Sequence, residues 1–354
     1  MKPYIVVLRF PLAVLVVLIH AYNSVWVSVD WGTWECVPFF FSRVLPSFAV
    51  PLFFSISGYL FFIGGRRLDM ETFMGKLRRR VFTLLIPYLT WNLLAFLLYA
   101  LQDWAAGHPL RYPFSLDLFW GCRLLGGVSI NWLGFPIGAT TACVQEPLWF
   151  VRDLMVVVLF APVIYLVLRR GGGKWMLLLL AAVYYARLWP NWGGISFQAV
   201  WYFSLGAYWG ILNLDPLRST SLLLRPSCVC AMVSAAILLC VRTDTLMIFV
   251  AQQVYILSAI IVCIHWAQKV SRRFMPSGEL AASCFFLYAA HTMVLLPLTT
   301  VAVHNFAMAG GMAYTGLYLL CALSAVVLCL VTFSMIHRFF PRISAPLTGV
   351  WDNR

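Results

Sequence analysis

Long apolar runs dominate this chain and leave few choices of fold. A helix needs about 20 residues to cross roughly 30 Å of hydrocarbon. Ten runs approach or reach that length, at approximately 4–26, 44–64, 81–101, 147–168, 175–188, 199–214, 226–241, 246–267, 280–300 and 314–337. The pattern predicts an all-α polytopic membrane protein with about ten transmembrane helices.

The composition excludes an ordinary soluble protein. Hydrophobic residues make up 62% of the chain and charged residues only 10%, which is too little charge to cover a soluble surface. We therefore expect a single transmembrane domain over residues 1–354, without a fused soluble domain.

The basic residues indicate how the helices are oriented. If the N-terminus is cytoplasmic, the segments inside hold 18 Lys and Arg and the segments outside hold 4. This bias follows the positive-inside rule and places both termini in the cytoplasm. It also makes 65–80 a basic cytoplasmic loop and 102–146 a long extracytoplasmic loop. The net charge of +13 is thus explained by topology, and no nucleic-acid partner is expected.

The sequence allows finer expectations for the outside loops. The segment "SLDLFWGCRLL" (115–125) is expected to form a short interfacial helix. The ten cysteines show neither CxxC spacing nor a metal-ligand pattern, so no metal is expected. Cys36, Cys122 and Cys143 fall in loops predicted to lie outside, and a disulfide among them is left open.

Two polar residues interrupt the first apolar run, "LRFPLAVLVVLIHAY" (8–22), namely Arg9 and His20. Eleven residues at 100° each end about 20° past three full turns, which predicts both side chains on one side of a helix. A charge in hydrocarbon costs several kcal/mol, so such residues face a protein interior or a wet cavity. His20 by itself could equally be a hydrogen-bonded core residue.

Counting inward from the helix ends places several other polar groups at the depth of His20. They are Arg152, Asp153, Gln252, Gln253 and His291. Arg152 and Asp153 could instead simply pair with other helices. At the inner end, the loop "GGRRLDMETFMGKLRRR" is either a lipid-headgroup anchor or a phosphate site. Together these groups suggest a polar path through the membrane.

A neutral imidazole in such a path could take a proton from a hydroxyl. The sequence has no GxSxG, HExxH or Walker motif, and the serines of "FFSISGYLFF" (53–62) are better explained by close helix packing. Base catalysis by His20 without a covalent enzyme intermediate is the simplest chemistry.

Several stretches then resemble signatures of the acyltransferase-3 family of integral membrane acyltransferases, which modify bacterial glycans. They are Arg9 with His20, "FAVPLFFSISGYLFF", "RRRVFTLLIPYLTWN", "PLWFVRDL", "YFSLGAYWG" and "FFLYAAHTMVL". The resemblance implies about ten helices in a bacterial inner membrane and a cytoplasmic acyl-CoA co-substrate, commonly acetyl-CoA, with no bound cofactor. The acyl group would pass to a hydroxyl of a cell-surface or lipid-linked glycan.

The resemblance also assigns roles. Arg9 and His20 would be the essential catalytic pair. Arg80 fits the first position of the family's RxxR motif, but the second position falls on Thr83. Arg78 and Arg79 are the substitutes, so Arg78, Arg79 and Arg80 are the predicted CoA-binding residues.

His291, Arg152 and Trp149 are candidates to orient the acceptor or stabilise the oxyanion. Two alternatives to the enzyme are a transporter or flippase of a small molecule or lipid-linked sugar, and a non-catalytic assembly factor. The acceptor and the oligomeric state are not predicted.

Overall fold

In this computed structural model, helices account for most of the chain. The residues described are 2–23, 25–26, 32–64, 68–125, 129–130, 136–137, 140–170, 172–188, 195–241, 245–306 and 311–351. The α-helices, in chain order, are α1 Pro3–Ala21, α2 Cys36–Phe39, α3 Ala49–Phe62, α4 Met70–Arg80, α5 Ile86–Ala105, α6 Trp149–Leu159, α7 Ala161–Arg169, α8 Gly173–Tyr185, α9 Phe197–Ile211, α10 Pro216–Ser219, α11 Leu224–Cys240, α12 Thr245–Ser271, α13 Gly278–Asn305, α14 Gly311–Phe339 and α15 Pro341–Thr348. Short 3₁₀ turns occupy Gly32–Glu35, Leu45–Phe48, Leu116–Phe119, Glu146–Leu148 and Ser221–Leu223, and π-helical turns occupy Phe40–Val44 and Val81–Leu85.

Every apolar run predicted from the sequence contains a helix, but fewer than ten helices have the length of a span. Within the described residues, seven helical segments are long and apolar enough to cross a membrane. The bent pair α6–α7 raises the number to eight, while α8 has 13 residues and α9 has 15. The protein is a multi-pass α-helical membrane protein, and the count of ten spans and the orientation of the termini stay predictions.

The run 147–168, expected to be one helix, is broken at Phe160. The helices on either side of the break, α6 and α7, meet at an angle of 59°. Pro162 lies in the first turn of α7, where its missing N–H is tolerated. The same ring inside a continuous helix would clash with the preceding turn.

Two short antiparallel ladders, one nested inside the other, form part of the long loop 102–146. Strand β1 (Arg123–Leu125) pairs with β4 (Thr140–Ala142), and β2 (Ser129–Ile130) pairs with β3 (Pro136–Ile137). The helix expected over 115–125 is therefore wrong, since only the 3₁₀ turn Leu116–Phe119 is helical there. A Cβ at Gly121 would lie 2.9 Å from the Thr141 hydroxyl, so this glycine lets the two arms of the loop approach closely.

The contacts divide the chain into two compact units. The first comprises Met1–Leu52 and Pro216–Pro341, and the second comprises Phe53–Asp215 and Arg342–Arg354. In the first unit α1 packs against α12, α13 and α14, with α11 against α12 and α13 against α14. The single domain expected over 1–354 stays a prediction.

Close backbone contact between α3 and α9 organises the second unit. A Cβ on Gly58 would collide with the carbonyl of Phe203, and a Cβ on Gly206 would collide with the carbonyl of Ser55. Small residues allow helix backbones to approach in this way in a membrane. The stretch "FFSISGYLFF" therefore packs helix against helix, as its composition predicts.

Candidate functional site

Helix α1 carries both Arg9 and His20 on the side that faces α13. The helix runs without a break from Pro3 to Ala21 and contains Pro11. Both side chains are half-buried. Arg9 is close enough to Cys284 of α13 to interact with it electrostatically, and His20 contacts His291, seven residues further along the same helix. Both polar groups of the first apolar run therefore face protein.

The His20 and His291 rings form the most distinctive contact of the first unit. Their centroids are 5.1 Å apart and their planes are tilted by 52°. His291 is fully buried, with 0% of its surface exposed. Two imidazoles this close, one half-buried and one enclosed, form a pair that can hold or exchange a proton.

The surroundings of His291 fix its tautomer. Its Nδ1 lies 2.8 Å from the carbonyl oxygen of Tyr288 and 3.2 Å from that of Leu287. Because a carbonyl only accepts, Nδ1 must carry the hydrogen and Nε2 is left as an acceptor. That Nε2 is buried and has no hydrogen-bond partner among the described residues. Most buried polar atoms are paired, so an unpaired nitrogen beside His20 indicates a place for a ligand or a mobile proton.

Hydrogen bonds hold the C-terminal end of α1. The Ser42 hydroxyl donates to the Leu18 carbonyl and lies 2.7 Å from the Tyr318 hydroxyl. The Asn23 amide donates to the Thr299 hydroxyl over 3.1 Å. Ser42 thus ties the last turn of α1, which carries His20, to the π-helical turn Phe40–Val44 and to α14. Asn23 ties the segment just after α1 to α13.

In the second unit, Arg152 and Asp153 form a buried ion pair, with 1% and 0% of their side chains exposed. Arg152 Nε and Nη2 donate to Asp153 over 3.0 and 2.9 Å. The guanidinium also donates to the Thr141 carbonyl over 2.8 Å, to the Thr141 hydroxyl over 3.2 Å and to the Trp120 carbonyl.

These bonds use all five N–H groups of the arginine. The geometry favours an anchor between α6 and the long loop over direct contact with an acceptor.

The predicted CoA-binding arginines end α4, and they do not all face the same way. Arg78 and Arg79 are exposed, whereas Arg80 is half-buried with its guanidinium carbon 5.9 Å from the centre of the Phe61 ring. Trp149 begins α6 and is half-buried. Arg9 and His20 lie in the first unit, while these residues lie in the second, so their roles at one site stay predictions.

The three cysteines considered for a disulfide, Cys36, Cys122 and Cys143, are free thiols. Burial raises the pKa of Cys143 to about 11 and also raises the pKa of Cys122. Both are therefore protonated at neutral pH, which makes them poor nucleophiles.

Comparison with known proteins agrees with the sequence resemblance. A family model described as an acyltransferase domain, of the acyltransferase-3 type, matches residues 2–334. The chain belongs to this family. A similar protein is the succinoglycan biosynthesis protein ExoH of Rhizobium meliloti (strain 1021), with 28% identity over 153 residues. That match covers 42% of this chain and 38% of ExoH, and no solved structure matches the chain.

The sequence analysis did not single out three residues that the structure places beside predicted functional residues of the same unit. In the first unit, Cys284 lies near Arg9 and Ser42 bonds to the last turn of α1. Lys76 lies one helical turn before Arg80 and contacts the same Phe61 ring. The i, i+4 spacing of Lys76 and Arg80 was the one signal that could have identified a neighbour in advance.

Proposed function

We propose that this member of the acyltransferase-3 family transfers an acyl group, in the first instance acetyl, from cytoplasmic acyl-CoA to a hydroxyl of a cell-surface or lipid-linked glycan. The family supports acyl transfer, and the name of the similar ExoH protein refers to biosynthesis of a polysaccharide. The observation that carries the proposal is the pair of imidazoles, His20 and His291, with a buried, unpartnered nitrogen. A bacterial inner membrane is the proposed location.

In the proposed reaction His20 is the general base. A neutral ring nitrogen of His20 takes the proton of the acceptor hydroxyl as its oxygen attacks the thioester carbonyl carbon. The carbon–sulfur bond then breaks and CoA leaves as a thiolate. The His20 imidazolium returns the proton to that sulfur, so the products are the glycan ester and CoA, and no covalent enzyme intermediate forms.

The other residues bind and orient. Arg9 lies within the first two turns of α1 and would hold the phosphate or pantetheine portion of the donor. His291 Nε2 would accept a hydrogen bond from His20 or from the acceptor, which would orient the base. At the basic end of α4, which carries Arg78, Arg79 and Arg80, the half-buried Arg80 would meet the CoA phosphates. Trp149 remains a candidate for contact with the acceptor.

The test is a transfer assay with purified protein, radiolabelled acetyl-CoA and membrane glycan. His20→Ala and Arg9→Ala should abolish transfer, whereas His304→Ala should not, because His304 lies on the same helix as His291 but is exposed. Normal transfer by the first two variants would refute the catalytic assignment. Movement of glycan across vesicles without labelling would identify a transporter instead.

A further inference from the structure

Two cations on α4 share a half-buried face that the run of three arginines does not reveal. Lys76 and Arg80 are half-buried and one helical turn apart, while Arg78 and Arg79 are exposed. The ammonium of Lys76 lies 4.9 Å from the centre of the Phe61 ring, and the guanidinium of Arg80 lies 5.9 Å from the same point. Phe61 itself is 2% exposed, so its buried ring gives both charged groups the same apolar surface to pack against.

Like charges at this spacing repel each other and weaken a helix. In the part of the chain that the structure describes, no carboxylate pairs with Lys76 or Arg80. Lys76 donates to the Phe61 carbonyl at the end of α3, which leaves two of its three N–H groups. Arg80 makes no hydrogen bond to any described residue, so its five N–H groups are available to an anion.

The second position of the family's arginine motif falls on Thr83, which is uncharged and supplies no cation to this face. Thr83 lies in the π-helical turn Val81–Leu85. Its carbonyl is covered by Gly349, whose φ is +70°, and a Cβ at that glycine would collide with it. The backbone around Thr83 is thus packed against the segment after α15. A second cation next to Arg80 has to come from another position, and Lys76 lies one turn earlier.

We propose that Lys76 and Arg80 bind a phosphate group of the acyl donor above the Phe61 ring, while Arg78 and Arg79 do not. This assignment rests on the proposed function, because acyl-CoA is the phosphate-bearing substrate it names. Arginine grips phosphate oxygens with two parallel N–H groups and lysine adds a point charge. A lipid headgroup offers the same phosphate chemistry, so the experiment separates the two sources.

The experiment measures CoA binding by isothermal titration to the full-length protein in lipid-free detergent. Lys76→Gln and Arg80→Gln should each weaken binding roughly ten- to hundredfold, the usual effect of losing a hydrogen bond to a charged group. Arg78→Gln and Arg79→Gln are matched controls on the same helix and should change it less than about threefold. Lys76→Arg keeps the charge and should restore most of the affinity, which separates lost binding from lost folding.

The lipid arm uses nanodiscs of phosphatidylcholine with or without phosphatidylglycerol, followed by native mass spectrometry of the lipid retained. Loss of phosphatidylglycerol from the Lys76 and Arg80 variants with unchanged CoA affinity would overturn the donor assignment. Equal weakening by all four glutamine variants would overturn it too, because a general charge effect would then suffice.

The outcome for the wild type separates the two proposals. A wild-type protein that binds no CoA would refute the proposed function as well. Normal wild-type binding with unchanged Lys76→Gln and Arg80→Gln affinities would refute only the phosphate site.

Discussion

Replacing Arg152 with methionine should destabilise the protein severely. The side chain is 1% exposed and its five N–H groups all donate, two to Asp153 and three to Thr141 and Trp120. The substitution keeps an apolar stem of similar length but leaves the Asp153 carboxylate buried, with only the Ser196 amide, 3.3 Å away, donating to it among the described residues.

The size of the effect follows from these contacts. Removing one partner of a buried ion pair costs about 3–5 kcal/mol, because the remaining charge is uncompensated. In Arg152→Met with Asp153→Leu no charge remains. The double variant should lose only about 1–3 kcal/mol, for the carbonyls of Thr141 and Trp120 left without a donor. The second substitution should therefore recover part of the loss caused by the first.

The assay is the free energy of unfolding in detergent for the wild type, both single variants and the double variant. Trypsin cleavage at Arg111 and Arg123, in the loop that Arg152 holds, should become faster in Arg152→Met. A loss below about 1 kcal/mol in Arg152→Met, or a double variant as unstable as the sum of the two singles, would show that the pair does not anchor the loop.

Three further outcomes are expected. Gly58→Ala should lower the free energy of unfolding by about 1–3 kcal/mol, because its Cβ would meet the Phe203 backbone. Gly316→Ala is the control: this glycine has open space around it, so the same assay should show no change or a gain of up to ~1 kcal/mol. His291→Leu should lose roughly a hundredfold in transfer activity. His291→Gln should retain more activity, because its amide oxygen can lie near the position of Nε2. Equal losses in the two variants would argue that Nε2 does not act as a hydrogen-bond acceptor. With a pKa of about 11, Cys143 has a thiolate fraction at pH 8 roughly two-hundredfold below that of a thiol with the ordinary pKa near 8.5. A mass-spectrometric time course should therefore show slow alkylation of Cys143 by iodoacetamide at pH 8 and faster alkylation as the pH approaches 11.

Apolar length and helical periodicity were sufficient to predict several features of the chain. The runs that contain α1, α12, α13 and α14 are long and uniform, and each became one helix. The eleven-residue spacing of Arg9 and His20 placed both on the α13 side of α1. These predictions succeed because they depend on the geometry of a single helix, and that geometry follows from residue spacing alone.

Features that depend on tertiary contacts were not predictable in this way. The break at Phe160 could have been predicted only by giving the position of Pro162 more weight than the continuous apolar run around it. The segment 115–125 has residues compatible with an interfacial helix, yet its end pairs with Thr140–Ala142 as a strand. The separation of Lys76 and Arg80 from Arg78 and Arg79 depends on where Phe61 lies. Partners distant in the chain decide each case.

The π-helical turn Val81–Leu85 sets the rotational phase between the two helices it joins. Such a turn contains one more residue than an α-helical turn, so α4 is rotated about its axis relative to where an uninterrupted helix would leave it. If the same residues formed an ordinary α-helical turn instead, α4 would be rotated by about 100° relative to α5. Lys76 and Arg80 would then leave the Phe61 ring, and a different pair of side chains would take their place, although no basic residue had been changed.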